Sequence, residues 1–345
     1  MNAPRSATYG AEAGETATPT PRTVFPGSPA LQGLVASDGV EWREFRRRLQ
    51  PRFDRVWADI AGRYLLLFLG YAAACAIAAS AGNLVGFALA PVTALWIGFW
   101  FGSIVLFMHE AAHYNLHRDK AANDRVANTF ICILTGDEVK HYRALHWKHH
   151  LHLGETNDTE VSYHFAPTFR FMLETLSGVH ALRVFKNHRQ SRALDAATHA
   201  KDSNRGRDYL ALARGLAFHG IVVGIAVLAG WYSAAFAWVA GIGIVFPFFS
   251  ALRQQLEHRA LDASIEVDYS ITPHGAVNRM FAPTLFARSF GSAGFWRHLL
   301  HHWDPSVSYT RFSDFETFLL RTELGRQVDD VRTTYGAVWR RLARP

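Results

Sequence analysis

The sequence predicts an all-α membrane protein whose four spanning helices pair into two hairpins. Three observations carry that expectation. Apolar residues gather in long blocks almost free of charge, at Tyr64 to Ser80, Leu84 to Met108, Tyr209 to Trp231 and Ala234 to Leu252. A bilayer crossing takes roughly 20 such residues, so the expected spans run over about 62–81, 84–108, 209–231 and 234–252. The blocks come in pairs, separated only by Ala81-Gly82-Asn83 and by Tyr232-Ser233, which suits tight reversals. Lys and Arg are missing from those two tips and crowd into 41–55, 118–207 and 253–345. Positive charge stays on the cytoplasmic side, so both termini and the 109–208 loop are expected there. A soluble all-α protein with buried hairpins is the competing reading, but its core helices rarely carry uncharged stretches of that length.

Taken in order, residues 1–35 are rich in Ala, Thr, Pro, Gly and Ser without hydrophobic period, and read as a disordered tail. Residues 36–58 contain the basic amphipathic stretch Glu41 to Gln50, expected to lie on the membrane surface. Val126 to Gly136 is apolar but too short to span, and fits a half-buried or interfacial helix. Residues 311–345 read as a cytoplasmic helical segment, with Ser313 and Glu316 spaced as a capping box. The net charge of +7 admits nucleic acid, anionic lipid or an acidic protein as partner. The apolar blocks favour the last two and argue against nucleic acid. Cys75 and Cys132 both sit in apolar stretches, so neither a disulfide framework nor a cysteine zinc site is available.

Three histidine clusters carry the chemistry: His109-Glu-Ala-Ala-His113, His146-Trp-Lys-His149-His150 and His298-Leu-Leu-His301-His302. On a helix, positions i, i+3 and i+4 share one face, so each cluster aims two or three imidazoles the same way. Neutral imidazole binds iron, copper, zinc and nickel. All three clusters fall on the side assigned to the cytoplasm from Lys and Arg alone. Eight imidazoles exceed the needs of one metal and match a two-metal site. His109-Glu110-x-x-His113 also fits a zinc protease signature, which leaves the other two clusters without a role. A histidine-rich metal transporter is a further alternative. It would need ionisable groups along its spans, and these spans have almost none.

These residues resemble the membrane fatty acid desaturase superfamily, whose boxes read His-x(3–4)-His, His-x(2–3)-His-His and [His/Gln]-x(2–3)-His-His. All three occur here in order, the first two in one loop and the third after two more spans. The flanking text, including His113-Tyr-Asn-Leu-His117, His150-Leu-His-Leu-Gly154 and His302-Trp-Asp-Pro305, is similar to bacterial members of uncertain substrate. The resemblance covers roughly residues 60 to 310, within a membrane domain set at 59–310. It implies a four-span bundle under a cytoplasmic helical cap that carries a di-iron site. It also implies an O₂-dependent oxidoreductase that introduces a double bond into a fatty acyl or lipid chain, in a bacterial inner membrane. A hydroxylase or ketolase shares those parts.

The expected ligands of two iron ions are therefore His109, His113, His146, His149, His150, His298, His301 and His302. His258 is a ninth: it follows the fourth span by about 9 Å of helix, and some family members place a ligand histidine there. The family has Asn four residues earlier, where this chain has Gln254, a candidate to hold a metal-bound water. The alternative for His258 is a charged collar at the headgroups with Arg253, Glu257 and Arg259. His117 could extend the face of His113. Asp158 and Asp304 could each orient a ligand through its free N–H. Trp147, Phe295, Trp296 and Trp303 could keep the centre dry. His141, His164, His180, His188, His199 and His274 show no usable spacing and are read as structural. His219 lies inside the third span and is expected to bond a neighbouring helix. No haem-attachment, Rossmann or iron–sulfur pattern is present, so electrons are expected from a separate acidic donor such as a ferredoxin.

Overall fold

A computed structural model describes residues 29–187 and 205–343. Residues 1–28 of the expected tail lie outside the described residues, as do His188 and His199. The described chain is built almost wholly of helices: α1 (Trp42–Arg47), α2 (Phe53–Val105), α3 (Phe107–Ala112), α4 (Lys120–Phe130), α5 (Val139–His152), α6 (Phe169–Leu176), α7 (Arg205–Leu228), α8 (Tyr232–Ala240), α9 (Phe246–His258), α10 (Leu285–Phe290), α11 (His298–Trp303), α12 (Phe312–Leu319), α13 (Gly325–Asp330) and α14 (Tyr335–Leu342). One two-residue parallel pair, β1 (Met280–Phe281) with β2 (Arg332–Thr333), ties the C-terminal part to the segment before the last histidine cluster.

Three helical stretches are long and apolar enough to cross a membrane: Phe53–Ala112, Tyr209–Leu228 and Tyr232–His258. The first is interrupted at Gly82, whose backbone sits at φ 82° and ψ 163°, a region glycine enters without a Cβ penalty. Trp96 Nε1 donates to Leu66 O at 2.7 Å, and Arg63 Nε donates to Ser103 Oγ at 3.0 Å. In an unbroken helix residues 66 and 96 would stand about 45 Å apart, so the chain doubles back at Gly82 and its halves lie side by side. Asn83 joins the two reversals. Its Nδ2 donates to Gly230 O at 2.7 Å, and its Oδ1 accepts from Ser233 N at 3.0 Å. Deeper in, a Cβ on Gly98 would lie 2.4 Å from Gly241 O, so only glycine lets these backbones meet. Leu65, Leu84, Leu216 and Ile225 point outward with at least 60% of their surface exposed. Such faces require a lipid environment, so this is a membrane protein and the soluble alternative is set aside.

His219 does bond its neighbours. Trp238 Nε1 donates to His219 Nδ1 at 3.2 Å, which puts the ring proton on Nε2, 2.9 Å from Leu134 O. Three expectations fail outside the apolar helices. The apolar face of residues 41–50 packs inside the protein rather than on lipid: Trp42 stacks on Phe315 at 4.6 Å and Phe45 on Phe318 at 4.7 Å. Leu31 and Leu34 join that core, so packed chain begins before residue 36. Ser313 forms no capping box; its hydroxyl accepts from Arg297, while Glu316 ion-pairs with Arg297 at 2.8 Å and Arg332 at 2.7 Å. Two strong guanidinium partners outcompete a solvated cap.

Candidate metal centre

Four short helical ends deliver the nine histidines. His109 and His113 close α3, directly below the first apolar stretch, and the chain leaves them through Tyr114 at φ 60°. Positive φ is costly for a bulky residue. Arg143 holds the turn, with its guanidinium 4.0 Å from the Tyr114 ring centre. It also donates to Ala112 O at 2.8 Å and Ala111 O at 3.2 Å, and makes a two-point pair with Asp124 at 2.6 and 3.1 Å. Asn123 adds a bond to Ala111 O at 2.9 Å. The carbonyls left over at the end of α3 are thus met by side chains from α4 and α5. His146, His149 and His150 occupy α5, His258 ends α9, and His298, His301 and His302 lie along α11.

The nine fall into two groups: His109, His113, His146, His150 and His301; and His149, His258, His298 and His302. All nine are buried, and within each group the candidate ligand atoms lie within 4.8 Å of one another. In the first group Nε2 atoms approach at 2.8 Å (His109 to His301), 3.0 Å (His113 to His146), 3.0 Å (His146 to His150) and 2.7 Å (His150 to His301). In the second, His298 Nε2 stands 3.0 Å from His258 Nε2 and 3.1 Å from His302 Nε2. The groups adjoin, with the rings of His150 and His302 4.5 Å apart.

These contacts test whether the residues suit a metal. A ring nitrogen offers one proton or one lone pair, so His146 Nε2, facing two other Nε2 atoms, can satisfy at most one by hydrogen bonding. A cation shared between lone pairs satisfies all of them. Two nitrogens each about 2.1 Å from a common ion are about 3.0 Å apart at a right angle and about 3.4 Å apart at the tetrahedral angle. The observed 2.7–3.1 Å spacings match the former, and five ligands exceed tetrahedral zinc. His149 gives the same answer. Its Nδ1 is held by Asp158 at 2.9 and 3.1 Å, while its buried Nε2 has no hydrogen-bond partner among the described residues. That is how a protein orients a metal-binding histidine. The residues therefore fit a pair of metal ions.

Burial dominates the electrostatics. It drives the pKa of His146, His150, His298, His301 and His302 well below the ordinary value, helped by neighbouring imidazoles. Burial and then the Arg143 charge lower His113 to about 3. These rings are neutral at physiological pH and ready to coordinate. At His149 burial also works downward, but the Asp158 and Glu160 carboxylates outweigh it and raise the value to about 9. An unfolded histidine titrates near 6.5. Between pH 6.5 and about 3 the unfolded chain therefore binds a proton at residue 113 that the folded chain refuses, and folded stability falls with pH through that window. His149 works the other way, but its contribution is complete below pH 6.5, so metal-free protein in neutral detergent should lose several degrees of melting temperature from pH 6.5 to 5.5, and metal-loaded protein much less. Equal, flat profiles would contradict this account.

The remaining expected residues separate clearly. Asp158 is fully engaged: besides His149 it accepts from the Tyr163 hydroxyl and from Glu160 N at 2.9 Å. Asp304 orients no histidine; it ion-pairs with Arg46 at 2.6 Å and anchors α1. His117 is exposed, and its Nδ1 accepts from Asp119 N at 3.0 Å, so it turns the chain into α4. Gln254 Oε1 accepts from Ser162 N at 3.2 Å. The headgroup collar is absent, since Arg253, Glu257, His258 and Arg259 are all buried. Arg253 pairs with Glu257 and lies over the Phe295 ring at 4.1 Å. Of the expected dry wall, Phe295 stacks on His298 at 4.9 Å and Trp147 meets the rings of His113 at 5.1 Å and His150 at 5.5 Å. Trp296 instead lies beneath Arg288 and Arg297, and Trp303 packs in the core that holds Trp42, Phe315 and Phe318. Glu110, the would-be base of a zinc protease, accepts from Ser308 Oγ at 2.9 Å. Tyr163, Arg143, Asn123 and Ser308 were not legible as site residues, because their partners are distant in sequence and no motif marks them.

Helices apolar enough for a bilayer, joined to two buried histidine groups at one end, define a membrane protein with the capacity for a histidine-held metal centre. The sequence profile of the fatty acid desaturase family matches residues 86–331. The chain belongs to that family, which implies an oxidoreductase acting on a lipid or acyl substrate. No curated protein matches the chain.

Proposed function

We propose that this protein introduces a double bond into a fatty acyl or lipid chain, using O₂ and two iron ions held by His109, His113, His146, His150 and His301 on one side and by His149, His258, His298 and His302 on the other. The observation that carries the reading is the pair of adjoining buried histidine groups. Bound iron would supply O₂ activation and removal of hydrogen from an unactivated C–H bond, which no side chain can do. The chain's own residues do the rest. Asp158 fixes the proton of His149 on Nδ1 and leaves Nε2 for coordination. Arg143 and Asn123 hold the end of α3 in register. Phe295 and Trp147 cover the histidines and limit water around an oxidising centre. Two electrons per turnover come from a separate carrier, for which the basic cap suits an acidic ferredoxin.

The test is iron analysis of detergent-purified protein, O₂ uptake with reductant, and mass spectrometry of extracted lipid. Two irons per chain with products lighter by two hydrogens are expected. A gain of one oxygen would assign a hydroxylase, and one bound zinc without iron would end the redox reading.

The accompanying topology is four spans in two hairpins of a bacterial inner membrane, with the histidine end and both termini cytoplasmic. Cysteines at Ala81 and Tyr232 should react with an impermeant thiol reagent on spheroplasts, and cysteines at Lys140 and Arg326 only after lysis. The reverse pattern would invert the orientation.

A further inference from the structure

A second polar site lies beside the histidine centre and takes no part in it. A cavity of about 320 Å³ opens between α6 and the 259–270 loop, with His164, Arg183 and Arg259 in its wall. Three features of these residues are hard to reconcile with a pocket that holds only water. Arg259 is 2% exposed, and every hydrogen bond described for its guanidinium goes to a neutral group. Nη1 donates to Tyr163 O and His164 O at 3.1 and 3.0 Å, and Nη2 to Ala263 O and Ser264 O, both at 3.1 Å. Its charge thus has no carboxylate partner among the described residues. A buried charge without a counter-ion is expensive. Arg183 gives Nη2 to Glu174 at 3.0 Å, yet its Nη1 is buried with no hydrogen-bond partner among the described residues. His164 is more than nine-tenths buried, and its Nε2 likewise has none. Buried polar groups are otherwise almost always paired.

Two unsatisfied nitrogens and one uncompensated cation in the same wall call for an occupant rich in acceptors and negative in charge. The two acids of the lining do not meet that need: Glu174 is spent on Arg170 and Arg183, and Asp268 on Ser270. The surroundings are apolar. Phe169, Leu182 and Ile271 near the cavity are each at least 70% exposed, and α6 packs on residues 241–245, inside the apolar stretch Tyr232–His258. Arg259 in the cavity wall directly follows the last residue of that stretch, so the cavity sits at the level where such a helix would leave a bilayer.

We propose that this cavity binds a phosphate or carboxylate group, met by Arg183 Nη1, His164 Nε2 and the Arg259 charge, with its placement suiting the anionic head of a lipid. The site is one aromatic ring from the histidines: the Tyr163 ring lies 4.6 Å from that of His164 and 5.5 Å from that of His258. The proposal does not rest on the redox reading and is tested by binding alone.

Thermal shift and native mass spectrometry on full-length protein in maltoside detergent would use four probes: dioctanoyl phosphatidylglycerol, octanoate, inorganic phosphate and uncharged dioctanoylglycerol. The anionic lipid or the carboxylate is expected to bind and the uncharged lipid not to. Arg183→Gln should weaken binding at least about tenfold, Arg183→Lys less, and Lys186→Gln, outside the lining, not at all. Phosphate binding as tightly as the lipid would assign the site to a free anion, and much weaker phosphate binding to an amphiphile. Arg259→Gln is avoided because that side chain also ties down four carbonyls. The proposal is overturned if no anion binds the folded wild type, or if Arg183→Gln binds all probes as the wild type does.

Discussion

His258→Ala is expected to lose one of two bound metal ions and essentially all turnover while remaining folded in the membrane. His258 is fully buried. Its Nδ1 faces Val277 O at 3.2 Å, which sets the ring tautomer and directs the Nε2 lone pair towards His298 Nε2, 3.0 Å away. Removing it leaves three histidines where there were four, and the lost donor is one the fold has oriented. The effect on folding should be smaller, because the residue ends α9 and Arg253, Glu257 and Gln255 still anchor that helix. Gln255 does so by donating to Phe165 O at 2.8 Å. Iron per chain, measured after gel filtration in detergent, should fall from two towards one. Two irons with unchanged turnover would remove His258 from the ligand set. The same change on a solvated collar would cost only about 0.5 kcal/mol, but no solvated collar exists here.

What the sequence could show follows from how each feature is encoded. Apolar blocks and histidine spacings are local, so the apolar helices, the reversal at Gly82 and the nine clustered histidines were all readable from spacing or family resemblance. The partition of those histidines was not. His149 and His150 are neighbours in the chain yet enter different groups, as do His301 and His302, because successive residues on a helix point about 100° apart. The box pattern thus straddles two histidine groups rather than filling one. Residues 41–50 show the opposite failure. Their amphipathic pattern was real, but periodicity says only that one face is buried, not whether lipid or Phe315 and Phe318 cover it. Asp304 and Asp158 looked equivalent beside their boxes. They diverge because Arg46, more than 250 positions away, captures the first, and no local signal reports that. Gln254 was assigned by analogy with an Asn that this chain lacks. The longer side chain reaches Ser162 instead.

Asp158→Asn should weaken metal binding in the second group by about 10–100-fold, the range found when partners of metal-bound histidines are removed. The carboxylate receives His149 Nδ1, the Tyr163 hydroxyl and Glu160 N, so three donors converge on two oxygens. An amide of the same shape keeps one oxygen and turns an NH₂ group towards donors. With the charge gone, nothing holds the proton on His149 Nδ1. The tautomer that places it on Nε2 becomes competitive, and that tautomer cannot coordinate. The charge matters separately, because Asp158 is the leading influence that lifts His149 against the pull of burial. Tyr163→Phe removes one donor and keeps the carboxylate, so its effect should be several-fold at most. Melting temperature separates this mechanism from general damage. Metal-free Asp158→Asn should itself melt below the metal-free wild type, because a fully buried pair is broken, and beyond that loss the stabilisation gained on adding iron should shrink. Iron retention against a graded chelator series measures the affinity directly. If Asp158→Asn holds both irons at the chelator concentrations that strip the wild type, the Asp158–His149 contact has no part in metal binding.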